Sequence, residues 1–163
     1  MGLALQQEYM DQLKKVQQEI GFSHIRGHGL FCDDMAIYHP YTDENGITHE
    51  HYNFTYLDRV MDAYLGVGLK PFLELGFMPE KMASGDQTIF YWKGNTTPPA
   101  DHSKWAEMVK ATLIHLAKRY GEDEVSQWPC EVWNEPNLPG FWENADKQKY
   151  LHLYAVTARA VKE

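Results

Sequence analysis

The stretch Cys130-Glu131-Val132-Trp133-Asn134-Glu135-Pro136-Asn137 reads as a β-strand that stops at Pro136 and delivers an Asn-Glu pair to its exit. Proline has no N–H for a ladder and steers the preceding residue away from helical geometry, so the strand ends with the Glu135 carboxyl projecting forward. A group that protonates a leaving oxygen needs a rigid support, a cavity mouth and a neighbour that binds the substrate. Asn134 both donates and accepts, which suits a sugar hydroxyl. Three residues alone fit a surface turn with a solvated Glu equally well, so the surrounding chain has to decide.

Working outward, helical and strand patterns alternate. Over residues 3–20 the apolar positions Leu5, Tyr9, Leu13, Val16 and Ile20 recur every three or four residues, and Gly21 ends the stripe. Residues 24–29 read as a strand, 56–65 as a second helix stopped at Gly66 and Gly68, and 71–77 as a second strand. Asp101 is placed to cap a third helix running to about Tyr120, and residues 128–135 form the third strand. Asp146 is placed to cap a fourth helix, with Tyr150, Leu153, Tyr154, Val156 and Val161 facing inward. Such alternation predicts an α/β fold with parallel strands and helices packed outside. A closed (β/α)8 barrel takes eight strands and about 250 residues, so three strands make part of a barrel or a free-standing open sheet. An Asn-Glu pair at the carboxyl end of a strand favours the barrel.

Composition narrows the function. The 163 residues are 44% hydrophobic and 23% charged, values of a globular chain, with a formal net charge of -8. No Lys/Arg cluster is present, which argues against nucleic acid or an anionic membrane and for a neutral ligand. Aromatics at 13%, including five Trp and ten Tyr, supply faces that stack on sugar rings. The opening residues Met1-Gly2-Leu3-Ala4-Leu5 have no basic region before them, and Cys32 and Cys130 lack metal spacing. Cys130, within an apolar strand, is expected to be buried, and the expectation is a reduced, cytoplasmic protein.

Two long loops leave the same face. Residues 38–52 contain Asn45-Gly46, the usual sequence of a tight hairpin turn. Residues 78–99 hold Phe90-Tyr91-Trp92, either a sugar platform or a small satellite core. His49 and His51 flank Glu50 without a third ligand, so a solvated loop is expected there rather than a metal site. Asp33-Asp34 follows the first strand and either lines the cleft or caps the next segment.

Taken in order, Ile25-Arg26-Gly27-His28-Gly29-Leu30, Phe77-Met78-Pro79, Ser84-Gly85-Asp86-Gln87-Thr88, Phe90-Tyr91-Trp92-Lys93-Gly94-Asn95 and Trp133-Asn134-Glu135-Pro136-Asn137 resemble glycoside hydrolase family 39, its β-xylosidases above all. The resemblance runs through nearly the whole chain. It implies a retaining enzyme on a (β/α)8 TIM barrel that removes xylose from the non-reducing ends of xylo-oligosaccharides, with no metal and no organic cofactor. It also implies that Glu135 is the general acid/base and that Asn134 holds the sugar's 2-hydroxyl. His28, Phe90 and Trp92 are the further sugar contacts expected, although a structural histidine and a packed aromatic cluster remain open for them. The family's nucleophile lies near the end of the seventh strand, so the chain is expected to supply strands two to four and helices one to four. The first strand and the second half of the barrel, with the nucleophile, would lie outside it.

Within residues 1–163, Glu74 and Glu131 are the other carboxylates that strand alternation turns inward. The same counting puts His24, Arg26 and His28 on one face and Glu131, Trp133 and Glu135 on one face. The expected role of Glu74 or Glu131 is an ion pair with Arg26 that supports the barrel floor. Three functions remain distinguishable: a β-xylosidase whose nucleophile lies elsewhere, a non-catalytic carbohydrate-binding or assembly fragment, and an iduronidase-like member of the same family. The last would want basic groups in its pocket. Three parallel strands without neighbours leave two open edges, so self-association or the remainder of the barrel is the expected protein partner.

Overall fold

The computed structural model describes residues 1–163. Five helices and seven strands follow in order: α1 (Gln7–Glu19), β1 (His24–Gly27), β2 (Tyr41–Thr42), β3 (Thr48–His49), α2 (Thr55–Gly66), β4 (Lys70–Leu75), β5 (Thr88–Ile89), β6 (Gly94–Asn95), α3 (His102–Tyr120), α4 (Glu122–Val125), β7 (Cys130–Val132) and α5 (Lys147–Lys162). The main sheet is parallel, in the order β1-β4-β7. Ile25 is registered with Pro71, and Glu74 with Glu131. No helix is long and apolar enough to cross a membrane.

The core lies between this sheet and its helices. On α2, Leu57, Val60, Met61 and Tyr64 are buried; on α3, Trp105, Met108, Val109, Thr112 and Leu116. Both sets recur at three and four residues and so line one face of each helix. Trp105 Nε1 donates to Thr157 Oγ1 at 2.8 Å and ties α3 to α5 inside the core. The expected caps are in place. Asp101 accepts from the Ser103 N–H at 2.8 Å, and Asp146 from Gln148 at 2.9 Å and Lys149 at 3.0 Å.

Several sequence expectations need correction. The third strand stops at Val132 rather than Glu135, because Trp133 adopts φ 67° and Glu135 φ 46°. The alternation count therefore fails past Val132. The Trp133 ring enters the core beside Phe77, Trp105 and Trp142 instead of joining Glu131 on the sheet face. Cys130 is exposed, because β7 is an edge strand. No residue of α1 is buried, and Val16 and Ile20 are open to solvent. On α5 the buried residues are Leu153, Thr157 and Ala160, while Tyr154 is exposed.

The hairpin at Asn45-Gly46 forms between β2 and β3, with Gly46 at φ 79° and Asp43 accepting from the Asn45 and Ile47 N–H groups. A second hairpin, β5-β6, lies within the loop of residues 78–99.

Candidate active site

The carboxyl ends of β1, β4 and β7 converge on one polar cluster. Register partners on neighbouring strands point to the same face of the sheet, so Glu74 of β4 and Glu131 of β7 lie side by side. Two adjacent carboxylates repel unless a cation intervenes. Arg26 of β1 is that cation. Its Nε donates to Glu131 Oε2 at 2.6 Å, and its Nη2 lies 3.2 Å from Glu74 Oε2 and donates to Asn134 Oδ1 at 2.9 Å. The Glu131 bond, with the charges of Glu74, Glu131 and Glu135, raises the guanidinium pKa against the opposing pull of burial. Arg26 thus pairs with both floor carboxylates, where the sequence reading named them as alternatives. His28 Nδ1 is hydrogen-bonded to Glu74 Oε2.

Asn134 and Glu135 follow Trp133 at the exit of β7. The Trp133 N–H still bonds Leu75 O at 3.2 Å, so the ladder reaches this residue before the chain turns. A left-handed φ is uncommon outside glycine and costs on the order of 1–3 kcal/mol per residue, held only where packing over-determines it. Packing does so here. Trp133 is buried, with its Nε1 donating to Phe141 O at 2.6 Å, and Tyr150 OH donates to Val132 O at 3.2 Å. Glu135, the second left-handed residue, is exposed to solvent.

An aromatic wall closes one side. His28 has ring centroids of Phe77, Phe90, Trp92 and Phe141 at 4.9, 5.8, 6.0 and 6.5 Å. Phe90 and Trp92 stack at 4.9 Å, with Phe90 at φ 64° in the β5-β6 turn. Cross-links fix this turn to the segment after β7. Gln87 Nε2 donates to Pro139 O at 2.8 Å, and the Glu143 N–H to Thr96 O at 2.9 Å. Phe77 and Phe141 were not singled out as site residues from sequence. Phe77 carried a signal, as the last residue of the second strand read from the sequence. Phe141 carried none, since its approach depends on these loop cross-links. Tyr91 is exposed, and His49 bonds Asp43 rather than the cluster. Asp33 accepts from the Glu80 N–H at 3.1 Å and Asp34 from the Gly2 N–H at 2.8 Å, so both brace backbone.

Two cavities flank the cluster. One of about 530 Å³ is lined by Arg26, His28, Tyr91 and Trp92 among others. The other, of about 490 Å³, is lined by Phe72, Glu131, Trp133, Glu135, Tyr150 and Tyr154 among others.

A parallel sheet flanked by helices, with carboxylates, an amide and aromatic rings at the strands' carboxyl ends, defines an α/β protein whose site sits where such folds keep their chemistry. The model of the family described as "Glycosyl hydrolases family 39" matches residues 1–163. A β-xylosidase of Geobacillus stearothermophilus is 57% identical over 162 residues, 99% of this chain and 32% of that protein. A β-xylosidase of Caldicellulosiruptor saccharolyticus is 41% identical over 160 residues, 98% of this chain and 32% of that protein. The crystal structure of a monomeric β-xylosidase from Caulobacter crescentus CB15 superposes with a TM-score of 0.91 at 46% identity, covering 99% of this chain and 32% of that one. The chain belongs to glycosyl hydrolase family 39. It spans 32% of the length of each of these two curated relatives.

Proposed function

We propose that residues 1–163 form part of the catalytic (β/α)8 barrel of a retaining exo-1,4-β-xylosidase, with Glu135 as general acid/base. In this reading β1, β4 and β7 are barrel strands two to four. The nucleophile lies in a part of the barrel outside this chain. The observation that carries the reading is the match to β-xylosidases along the whole chain, with the Asn134-Glu135 pair at the carboxyl end of a parallel strand.

The chemistry follows from two carboxyl groups. Glu135, protonated, gives its proton to the glycosidic oxygen while the nucleophile, roughly 5–5.5 Å away, bonds the anomeric carbon. Glu135, now ionised, takes a proton from the water that releases xylose. Glu74 and Glu131 are both engaged with Arg26, which supports a positioning role for them rather than attack on the sugar. Asn134 takes the 2-hydroxyl, and His28, Phe90 and Trp92 meet the sugar ring. The reaction runs between carboxylates and water and calls on no cofactor.

Two observations favour a neutral xylo-oligosaccharide over a uronic acid. The relatives above are β-xylosidases, and the Arg26 guanidinium at the site is already paired with two carboxylates. The remainder of the barrel is the partner proposed for the open edge of β7. The free thiols Cys32 and Cys130 fit a reducing, cytoplasmic compartment.

The test is hydrolysis of aryl β-xylosides by the full-length protein and by Glu135→Ala. The variant is expected to lose roughly 10²- to 10⁴-fold on a poor leaving group. It should lose far less in the first step with an activated one, and azide should restore turnover as the β-xylosyl azide. Equal activity of the variant on every leaving group would overturn the assignment.

A further inference from the structure

One carboxylate oxygen in the cluster serves two partners. Glu74 is fully buried, and its Oε2 meets both Arg26 Nη2 and His28 Nδ1, whereas its Oε1 has no hydrogen-bond partner. A carboxylate only accepts, so the His28 nitrogen facing it carries the hydrogen. In the neutral imidazole this leaves Nε2 as a bare acceptor. At the other end of the same contact chain, Arg26 occupies Oδ1 of Asn134 at 2.9 Å, so the amide offers Nδ2 to a ligand. The oxygen assignment of that amide follows from its partner, because a guanidinium has nothing to accept with.

We infer that Glu74 is a positioning residue that sets the hydrogen-bond polarity of the sugar site, making His28 an acceptor and, through Arg26, Asn134 a donor. The inference rests on the carbohydrate reading above. A hydroxyl meeting His28 Nε2 must donate, and one meeting Asn134 Nδ2 must accept. The backbone is shaped to keep Glu74 in this pose. A β-carbon at Gly76 would lie 3.3 Å from Oε1 and 3.4 Å from the Trp133 ring, so the carboxylate would have to give by a few tenths of an ångström.

The tautomer of His28 tests this directly, read by long-range ¹H–¹⁵N NMR on the full-length protein at a pH where the imidazole is neutral. The wild type is expected to carry its hydrogen on Nδ1. Glu74→Gln, whose amide oxygen still accepts, should keep that tautomer and stay within about tenfold in kcat/KM. Glu74→Leu should release the tautomer and lose roughly 10- to 100-fold, the range typical of partners that orient a histidine. An Nε2–H tautomer in the wild type overturns the inference, even if Glu74→Leu does not fold. So does a folded Glu74→Leu variant that keeps the Nδ1–H form and merely melts earlier. A protein with the expected tautomers that leaves β-xylosides intact supports this role of Glu74 and overturns the xylosidase reading alone. An active xylosidase with the wrong tautomer does the reverse.

Discussion

Arg26 and Asn134 stand 108 positions apart in the chain, and the Arg26 Nη2 donates to Asn134 Oδ1 at 2.9 Å. Arg26 lies on β1 and Asn134 just past β7, and β4 lies between these two strands. Adjacent strands are about 4.8 Å apart, so the contact crosses roughly 10 Å of sheet, within the reach of a long side chain. On the way it meets Glu74 and Glu131. The guanidinium fork serves three acceptors through two separate nitrogens, a spread that the compact ammonium of lysine does not have.

Arg26→Lys is therefore expected to lower kcat/KM on aryl β-xylosides on the order of 100-fold, the effect of misplacing a substrate-holding group by about 1 Å. Steady-state kinetics on the full-length protein check it, with a thermal melt alongside. Wild-type kinetics in a folded variant would remove Arg26 from the machinery.

Stability should fall at acid pH through the contact between α2 and α3. Arg119 Nη2 donates to Asp62 Oδ2 at 2.6 Å and Tyr120 OH to Oδ1 at 2.7 Å, and the Arg119 bond in particular holds the Asp62 pKa below its ordinary 3.8. A depressed folded pKa gives stability that is present above 3.8 and lost as pH falls through the lower folded value. Asp62→Asn is expected to melt below wild type at pH 6, with the gap closing in the most acid buffers. A gap of constant size across the series would contradict the linkage.

The two thiols should separate by reactivity. Burial pushes the Cys32 thiol up to about 12, whereas Cys130, also raised by its surroundings, is open to solvent on the edge of the sheet. Iodoacetamide at pH 8 is expected to label Cys130 of the 163-residue chain well before Cys32, read by peptide mass spectrometry. Equal rates would mean that the Cys32 environment opens in solution.

What the sequence disclosed was whatever chemistry is local. Asp101 and Asp146 announce helix starts because a cap is made within three residues, and Asn45-Gly46 announces a hairpin because only a few residue types accept its backbone. The second hairpin went unseen because its turn places Phe90 and Lys93 at positive φ, where neither residue type signals a turn. The end of β7 was misplaced for the same reason: nothing in Trp133 forecasts a left-handed backbone, which is imposed by a ring seated among Phe77, Trp105 and Trp142. The inward face of α5 was misjudged at Tyr154 because burial depends on which neighbours a helix meets. The polar cluster was partly legible, since alternation set Arg26, Glu74 and Glu131 on inward faces. That both carboxylates engage one arginine, and that Asn134 joins them, required three dimensions.

The left-handed turn at Trp133 gives the site a thermal weak point. The backbone that carries Glu135 is held in large part by the seated indole, so a loosening of the ring would let the turn relax toward ordinary strand geometry and swing the carboxyl off its line. If Glu135 is the acid proposed above, warming would silence it while helices and sheet still stand, and inactivation would run ahead of melting.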